Sequence, residues 1–131
     1  KIPIILPLHP RTAKIISQSA ELKSLAKSLQ IIEPVSYLEM LALEKGCSMI
    51  CTDSGGIQKE AYFLQTPCIT MRDQTEWVEL VSGGYNQLAG AEKETIIEAF
   101  HKMLGAKPDF QANLYGSGNA ANNIAEILSA Q

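Results

Sequence analysis

The chain has 131 residues, enough for one domain with a hydrophobic core but too few for two. Hydrophobic residues make up 46% and charged residues 19%, as in ordinary globular proteins. A net charge of −3 without a basic cluster argues against nucleic acid as a partner. No apolar stretch is long enough to span a membrane, and residues 2–8, a short run broken by two prolines, do not resemble a signal peptide.

The cysteine pattern indicates neither a metal centre nor a redox pair. Cys47, Cys51 and Cys68 are an odd number, and their spacing matches no zinc or redox motif. We expect three reduced thiols in the core of a cytoplasmic protein, with no metal and no cofactor.

The first third of the chain is predicted to alternate short strands with helices. Ser36 followed by Glu39 has the spacing of a capping box, and Gly46 is expected to stop the helix that begins there. The predicted elements are a strand at 2–8, a helical region at 11–30, a strand at 31–32 and a helix at 36–45.

The rest of the chain continues the alternation. Apolar runs bounded by Gly, Pro or polar residues predict strands, and apolar residues at helical spacing predict helices. The predicted elements are a strand at 47–51, a helix at 57–65, a strand at 67–71, a short helix at 76–81, a strand at 86–89, a helix at 93–104, one turn within 107–113 and a helix at 117–130.

This alternation predicts an α/β fold: a Rossmann-like parallel sheet with helices on both faces. In such sheets ligands bind outside the carboxyl ends of the strands. Polar and conformationally special residues follow the first four predicted strands, at 9–11, 33–34, 53–56 and 72–73. The sequence therefore predicts a binding site along one edge of the sheet.

The segment after the third strand is the most informative one. Ser54 is a favourable helix N-cap, and Gly55 and Gly56 leave no side chain between the backbone and a ligand. Unpaired N–H groups and the positive end of the helix dipole would suit a phosphate there, with Glu60 about one turn further on. The alternative is a tight strand-to-helix turn with no ligand. The pattern is neither the dinucleotide fingerprint nor a Walker loop.

Residues 52–61, Pro67 and residues 71–76 resemble the non-hydrolysing UDP-N-acetylglucosamine 2-epimerase family. The two blocks read Asp-Ser-Gly-Gly-Ile-Gln and Arg-Asp-x-Thr-Glu, in that order, and the resemblance runs from His9 to residue 118. It implies the C-terminal half of a GT-B type two-domain fold, with residues 1–131 forming a single UDP-sugar binding domain.

The resemblance also implies roles for individual residues. It implies that His9 makes a catalytic contact to the UDP diphosphate and that Glu60 binds the ribose. For Met40, packing in the core is the alternative to lying against the base. The implied substrate-binding residues are Ser54, Gly55 and Gly56 at the diphosphate, Glu60 at the ribose, and Val35 and Met40 at the uracil.

Three segments depart from the usual family pattern. Trp77 and Val78 stand where many members have Arg-Pro, Lys59 replaces a more usual Glu, and residues 10–12 replace a Leu-Asn-Pro run. Together with residues 8–12 these departures resemble a branch acting on UDP-2,3-diacetamido-glucuronate.

The resemblance implies epimerisation at C2 by loss of UDP, which gives a 2-acetamidoglucal, followed by re-addition of UDP. The family places the carboxylates that move the C2 proton in an N-terminal domain, which this chain lacks, so we expect the fragment alone to be inactive. The family's first strand of this sheet is also missing. Either the strands ending at His9 and Thr52 pair directly, or an open edge favours a homodimer or another self-associated form.

Two other functions stay open. A GT-B glycosyltransferase would use a similar half to bind its UDP-sugar donor and would transfer the sugar to an acceptor. A non-enzymatic α/β interaction module would use Ser54, Gly55 and Gly56 only as a turn.

Overall fold

A computed structural model describes residues 2–106, 108–110 and 112–130. The chain divides into two compact units, the first ending at Leu43 and the second beginning at Glu44. Within the described residues, no helix is both long enough and apolar enough to cross a bilayer. The turn expected within 107–113 involves positions 107 and 111, which lie outside the described residues.

The first unit contains a two-stranded parallel sheet in which Leu6 lies opposite Ile31. None of its described residues is fully buried. Its elements are β1 (Ile5–Pro7), α1 (Pro10–Gln18), α2 (Ala20–Ala26), β2 (Gln30–Ile32) and the larger part of α3 (Tyr37–Gly46).

The helical region predicted over 11–30 consists of two helices, because the chain breaks at Ser19, and it ends earlier than predicted, at Ala26. Ser19 has extended backbone angles of φ −119° and ψ 125°, and its hydroxyl accepts a hydrogen bond from the Leu22 amide. Serine is unfavourable inside a helix and favourable at the N-cap, where its hydroxyl accepts from a free N–H group. A second helix therefore begins after Ser19.

The second unit contains a three-stranded parallel sheet in the order β3-β4-β5. The helix predicted over 93–104 is confirmed, whereas the last helix begins three residues later than predicted. The elements are β3 (Ile50–Thr52), α4 (Gly55–Phe63), β4 (Cys68–Thr70), α5 (Val78–Ser82), β5 (Asn86–Leu88), α6 (Lys93–Gly105) and α7 (Ala120–Ser129).

Helices cover both faces of this sheet. Cys68 packs with Ile50 and Ala61, the latter on α4, whereas its neighbour Ile69 packs with Ala99 on α6. Successive side chains of a strand point to opposite faces, so α4 and α6 lie on opposite sides of β4. The predicted α/β class with a helix-covered parallel sheet is confirmed.

The pairings within each unit are β1-β2 in the first and β3-β4-β5 in the second. Direct pairing of the strands ending at His9 and Thr52 would join the two units and stays a prediction. Among the described strands, β3 bonds to β4 alone and is an edge of its sheet.

The prediction of core thiols holds for Cys68 and is wrong for the other two cysteines. Cys68 is 1% exposed, whereas Cys47 and Cys51 are exposed. Cys51 alternates with buried Ile50 and Thr52, so its side chain lies on the other face of the edge strand. Cys47 precedes the strand, which begins only at Ile50. All three thiols are free.

Candidate functional site

The turn between β3 and α4 presents Ser54 at the N-cap position, with φ −82° and ψ 128°. The predicted capping bond from its hydroxyl is wrong, because the side chain makes no cap hydrogen bond. The turn is held instead by the Ser54 amide, which donates to Thr52 Oγ1 over 3.0 Å. The Ser54 hydroxyl is thus left available to a ligand.

The first turn of α4 carries amides that the helix itself does not use. Gly55, Gly56 and Ile57 lie too early in the helix to donate to a carbonyl within it. The Gln58 amide is the first to do so, donating to the Ser54 carbonyl over 3.4 Å. These N–H groups, together with the helix dipole, make an anion-binding arrangement.

The two glycines have different surroundings. A Cβ on Gly55 would lie 2.1 Å from Oε1 of Glu76, whereas a Cβ on Gly56 would meet only the Ser54 hydroxyl, at 3.8 Å. A side chain at position 55 would therefore displace the carboxylate end of Glu76, whereas the space beside Gly56 is open.

A buried amide network supports the turn from within the unit. Gln58 is 1% exposed, and its Oε1 accepts from Thr75 Oγ1 at 2.6 Å and from Asn86 Nδ2 at 2.9 Å. Its Nε2 donates to the Ser54 carbonyl over 3.3 Å. Thr70 Oγ1 in turn donates to Asn86 Oδ1 over 2.9 Å. Sequence reasoning missed this network, because its members are far apart in the chain.

The Arg-Asp-x-Thr-Glu block packs directly against the glycine turn. Arg72 Nη1 lies 3.3 Å from Glu76 Oε2, and this carboxylate approaches Gly55. The Trp77 amide donates to Thr75 Oγ1 over 3.2 Å. The two sequence blocks that carry the family resemblance therefore form one local structure.

Trp77 joins this local structure to α4 through contacts with two of its residues. Its indole Nε1–H donates to the Gly55 carbonyl over 2.8 Å. The Lys59 ammonium lies 4.2 Å from the Trp77 ring centroid and 4.1 Å from that of Tyr115. The Tyr115 hydroxyl donates to Glu79 Oε1 over 2.7 Å, and this bond holds the pKa of Glu79 below its ordinary value.

Two glutamates of the second unit interact electrostatically. Glu60 is half-buried on α4, one turn beyond the glycines. Glu44 is 4% exposed, and neither of its carboxylate oxygens has a hydrogen-bond partner among the described residues. Burial, and then the negative charge of Glu60, raises the pKa of Glu44 to about 7. Sequence reasoning missed Glu44. Its position in the last turn of a helix was an available signal, because the helix dipole disfavours a negative charge there.

His9, in the first unit, is the N-cap of α1. Its Nδ1 accepts from the Arg11 amide over 3.2 Å, and the residue is exposed. A neutral imidazole that accepts at Nδ1 carries its proton on Nε2, so His9 offers an Nε2–H donor to solvent or ligand. This pattern suits an anionic oxygen as the partner.

The segment predicted to face uracil lies where β2 leads into α3. Val35 and Met40 are both partly buried there. The capping box beside them is confirmed, with Ser36 amide and hydroxyl donating to Glu39 Oε2 over 2.8 and 2.7 Å. The predicted site residues are thus divided: Ser54, Gly55, Gly56 and Glu60 lie together in the second unit, and His9, Val35 and Met40 belong to the first.

Comparison with known proteins identifies relatives across nearly the whole chain. The family model described as UDP-N-acetylglucosamine 2-epimerase matches residues 1–129. A UDP-2,3-diacetamido-2,3-dideoxy-D-glucuronate 2-epimerase of Pseudomonas aeruginosa is 49% identical over 127 residues, covering 97% of this chain and 35% of that protein. A UDP-N-acetylglucosamine 2-epimerase of Methanocaldococcus jannaschii is 46% identical over 129 residues, covering 96% of this chain and 35% of that protein.

Solved structures agree with the sequence relatives. The UDP-GlcNAc 2-epimerase of Methanocaldococcus jannaschii in complex with UDP-GlcNAc and UDP matches with a TM-score of 0.84 and 44% identity, covering 98% of this chain and 36% of that one. The predicted fold, the C-terminal half of a GT-B type structure, is confirmed by this likeness. The chain spans about a third of the length of the relatives it matches.

Proposed function

We propose that this chain, which belongs to the UDP-N-acetylglucosamine 2-epimerase family, binds the UDP part of a UDP-acetamido sugar in an enzyme that inverts C2 of that sugar. The proposal depends mainly on the hydrogen-bond donors that are left unused at the start of α4. There the Ser54 hydroxyl is free of any capping bond, and the glycine amides have no partner within the helix. The complex of a 44% identical relative with UDP-GlcNAc and UDP supports this choice of ligand.

In this proposal the diphosphate lies over Gly55 and Gly56, with the Ser54 hydroxyl as a further donor. Glu60, one turn along α4, accepts hydrogen bonds from the ribose hydroxyls. His9 donates from Nε2 to a phosphate oxygen and is the catalytic contact of this half. Val35 and Met40 are proposed to border the uracil, Val35 through its backbone.

The proposed reaction removes UDP from the sugar and adds it back. As the bond from C1 to the diphosphate breaks, negative charge grows on the leaving phosphate. Fixed amide dipoles at Gly55 and Gly56 stabilise that charge without having to reorient. We propose that the groups that move the C2 proton lie in another domain of the whole enzyme. On this proposal residues 1–131 act as a single UDP-binding domain without activity of their own, and robust turnover by this chain alone would contradict it.

The sugar is the finer part of the proposal. The 49% identical relative named for UDP-2,3-diacetamido-2,3-dideoxy-D-glucuronate favours that substrate, while relatives at 46% and 42% identity are named for UDP-N-acetylglucosamine. Comparing kcat/KM of the whole enzyme for the two sugars would decide between them. A product that appears only with a sugar acceptor would instead favour a glycosyltransferase.

We further propose that the chain self-associates. Among the described strands, β3 bonds to β4 alone, which leaves its other edge open to a strand from another copy. Sedimentation velocity is expected to detect dimers or larger species, and a single monomeric boundary at all concentrations would refute this part of the proposal.

The ribose contact predicts a ligand-dependent effect of Glu60→Gln. Hydrogen bonds to an ionised carboxylate are stronger than those to a neutral amide, so the variant is expected to bind UDP about tenfold more weakly. Calorimetric titration with UDP and with 2′,3′-dideoxy-UDP measures this. The loss of affinity should be seen with UDP alone, because the dideoxy compound has no ribose hydroxyl that could bond to the side chain at position 60.

Glu98→Gln, on the exposed surface of α6, is the control and should leave both affinities unchanged. Equal losses for the two nucleotides in Glu60→Gln would exclude the ribose role of Glu60.

A further inference from the structure

We propose that Trp77 is a positioning residue for the diphosphate, acting through the peptide group between Gly55 and Gly56. The contact is the 2.8 Å hydrogen bond from the indole Nε1–H to the Gly55 carbonyl. This inference rests on the proposed function, because it assigns Trp77 a role in the same UDP site.

The planarity of the peptide group links the two ends of that contact. The Gly55 carbonyl and the Gly56 amide belong to one rigid trans unit, in which C=O and N–H point in opposite directions. A bond that fixes the carbonyl therefore also fixes the direction of the Gly56 N–H, one of the donors proposed for the diphosphate.

The two glycines explain why an additional bond matters. Glycine loses more conformational freedom on folding than any other residue, and two in the first turn weaken the helix start. In a regular helix the Gly55 carbonyl already accepts the amide of residue 59, and its second lone pair is free to accept the indole N–H. The bond from Trp77 thus compensates locally for the flexibility of the glycine pair.

Trp77 is itself held at several points. Its ring lies 4.2 Å from the Lys59 ammonium, and Lys59 is one helical turn from Gly55 on the same face of α4. The ring also meets Tyr115 edge-on, with 6.4 Å between the centroids. The Trp77 amide donates to Thr75 Oγ1. The indole N–H therefore has one defined position relative to the carbonyl that it holds.

Trp77→Phe is the variant that isolates the N–H donor. Phenylalanine keeps an aromatic ring for Lys59 and Tyr115 but has no group to donate to the Gly55 carbonyl. The variant is expected to bind UDP about fivefold more weakly, the effect of one lost hydrogen bond. Its thermal midpoint should stay within a few degrees of the parent, and the NMR resonance of the Gly56 amide should shift even without ligand.

Phe63→Leu is the matched control. The ring centroids of Phe63 and Tyr115 are 5.6 Å apart, and Phe63 makes no hydrogen bond to the glycine turn. This variant should leave UDP affinity unchanged. If the parent chain binds UDP and Trp77→Phe binds it equally well, the positioning role is wrong while the proposed function stands. If the parent chain binds no UDP at millimolar concentration, the proposed function itself fails.

A second measurement needs no variant. In the parent protein the indole Nε1–H resonance of Trp77 is expected to move during a UDP titration with the same dissociation constant as the Gly56 amide. An indole resonance that stays fixed while the Gly56 amide moves would overturn the positioning role, even where Trp77→Phe does not fold.

Discussion

Gln58→Leu is expected to lower the free energy of unfolding by about 3 kcal/mol. Leucine fills a similar volume, but it cannot accept from Thr75 and Asn86 or donate to the Ser54 carbonyl. Asn86 Nδ2, in a side chain that is 2% exposed, and the half-buried Thr75 hydroxyl would then lose their acceptor, whereas the Ser54 carbonyl keeps the Gln58 backbone amide. Each buried group left unpaired costs about 1–3 kcal/mol. The turn that carries the proposed diphosphate site would lose its internal support at the same time.

Urea denaturation with linear extrapolation measures this change in unfolding free energy. Gln74→Leu is the matched control, since Gln74 is exposed in the loop after β4, and it should change stability by less than about 0.5 kcal/mol. Similar stabilities for Gln58→Leu and the control would mean that the buried amide network does not hold the turn.

Glu44→Gln is expected to stabilise the chain at pH 8 and to leave it unchanged at pH 4. The pKa of Glu44 is raised from its ordinary value of 4.5 to about 7 by burial and by the charge of Glu60. The unfolded chain therefore ionises Glu44 near pH 4.5, whereas the folded chain keeps the proton until about pH 7. Between these values the unfolded state binds fewer protons, so stability falls as pH rises and then levels off.

A shift of this size corresponds to about 3 kcal/mol at most, and screening by water reduces the expected penalty above pH 7 to about 2 kcal/mol. Glutamine carries no charge at any pH, so the variant should lose this part of the pH dependence. Urea denaturation from pH 4 to pH 8 measures it, with Glu98→Gln as the exposed control. A Glu44→Gln curve parallel to that of the parent would show that Glu44 ionises as readily in the folded state as in the unfolded one.

Local sequence patterns were sufficient for the parts of the fold that depend on neighbouring residues. The alternation of apolar runs with helical spacing predicted the α/β class, and the capping box at Ser36 and Glu39 was recognised from its spacing alone. The turn before α4 was placed correctly because serine followed by two glycines suits a strand-to-helix connection. The helix at 93–104 was also correct, since its apolar face is continuous.

The errors arose where a contact or a competing local preference decided the structure. Ser19 lies in a segment with helical periodicity, yet its preference for an N-cap divides that segment into two helices. Ser54 has the ideal residue type for a capping bond, but its backbone is held through Thr52 instead. Cys51 lies in an apolar run, yet strand alternation at a sheet edge leaves it exposed.

The hydrogen bonds that support the site could not be predicted from local sequence patterns. Gln58 bonds to Asn86, which is 28 positions away, and Trp77 bonds to Gly55, 22 positions away. No periodicity or spacing indicates such pairs. Burial of Glu44 likewise depends on how a helix end packs within the second unit.

The proposed UDP site is tested most directly by a UDP titration followed through the backbone amide resonances, with Ser54→Ala as the paired variant. We expect saturable shifts centred on Ser54, Gly55, Gly56 and Glu60, together with His9, and weaker binding by the variant. Saturable shifts that avoid the start of α4, or their complete absence at millimolar UDP, would contradict the proposed site.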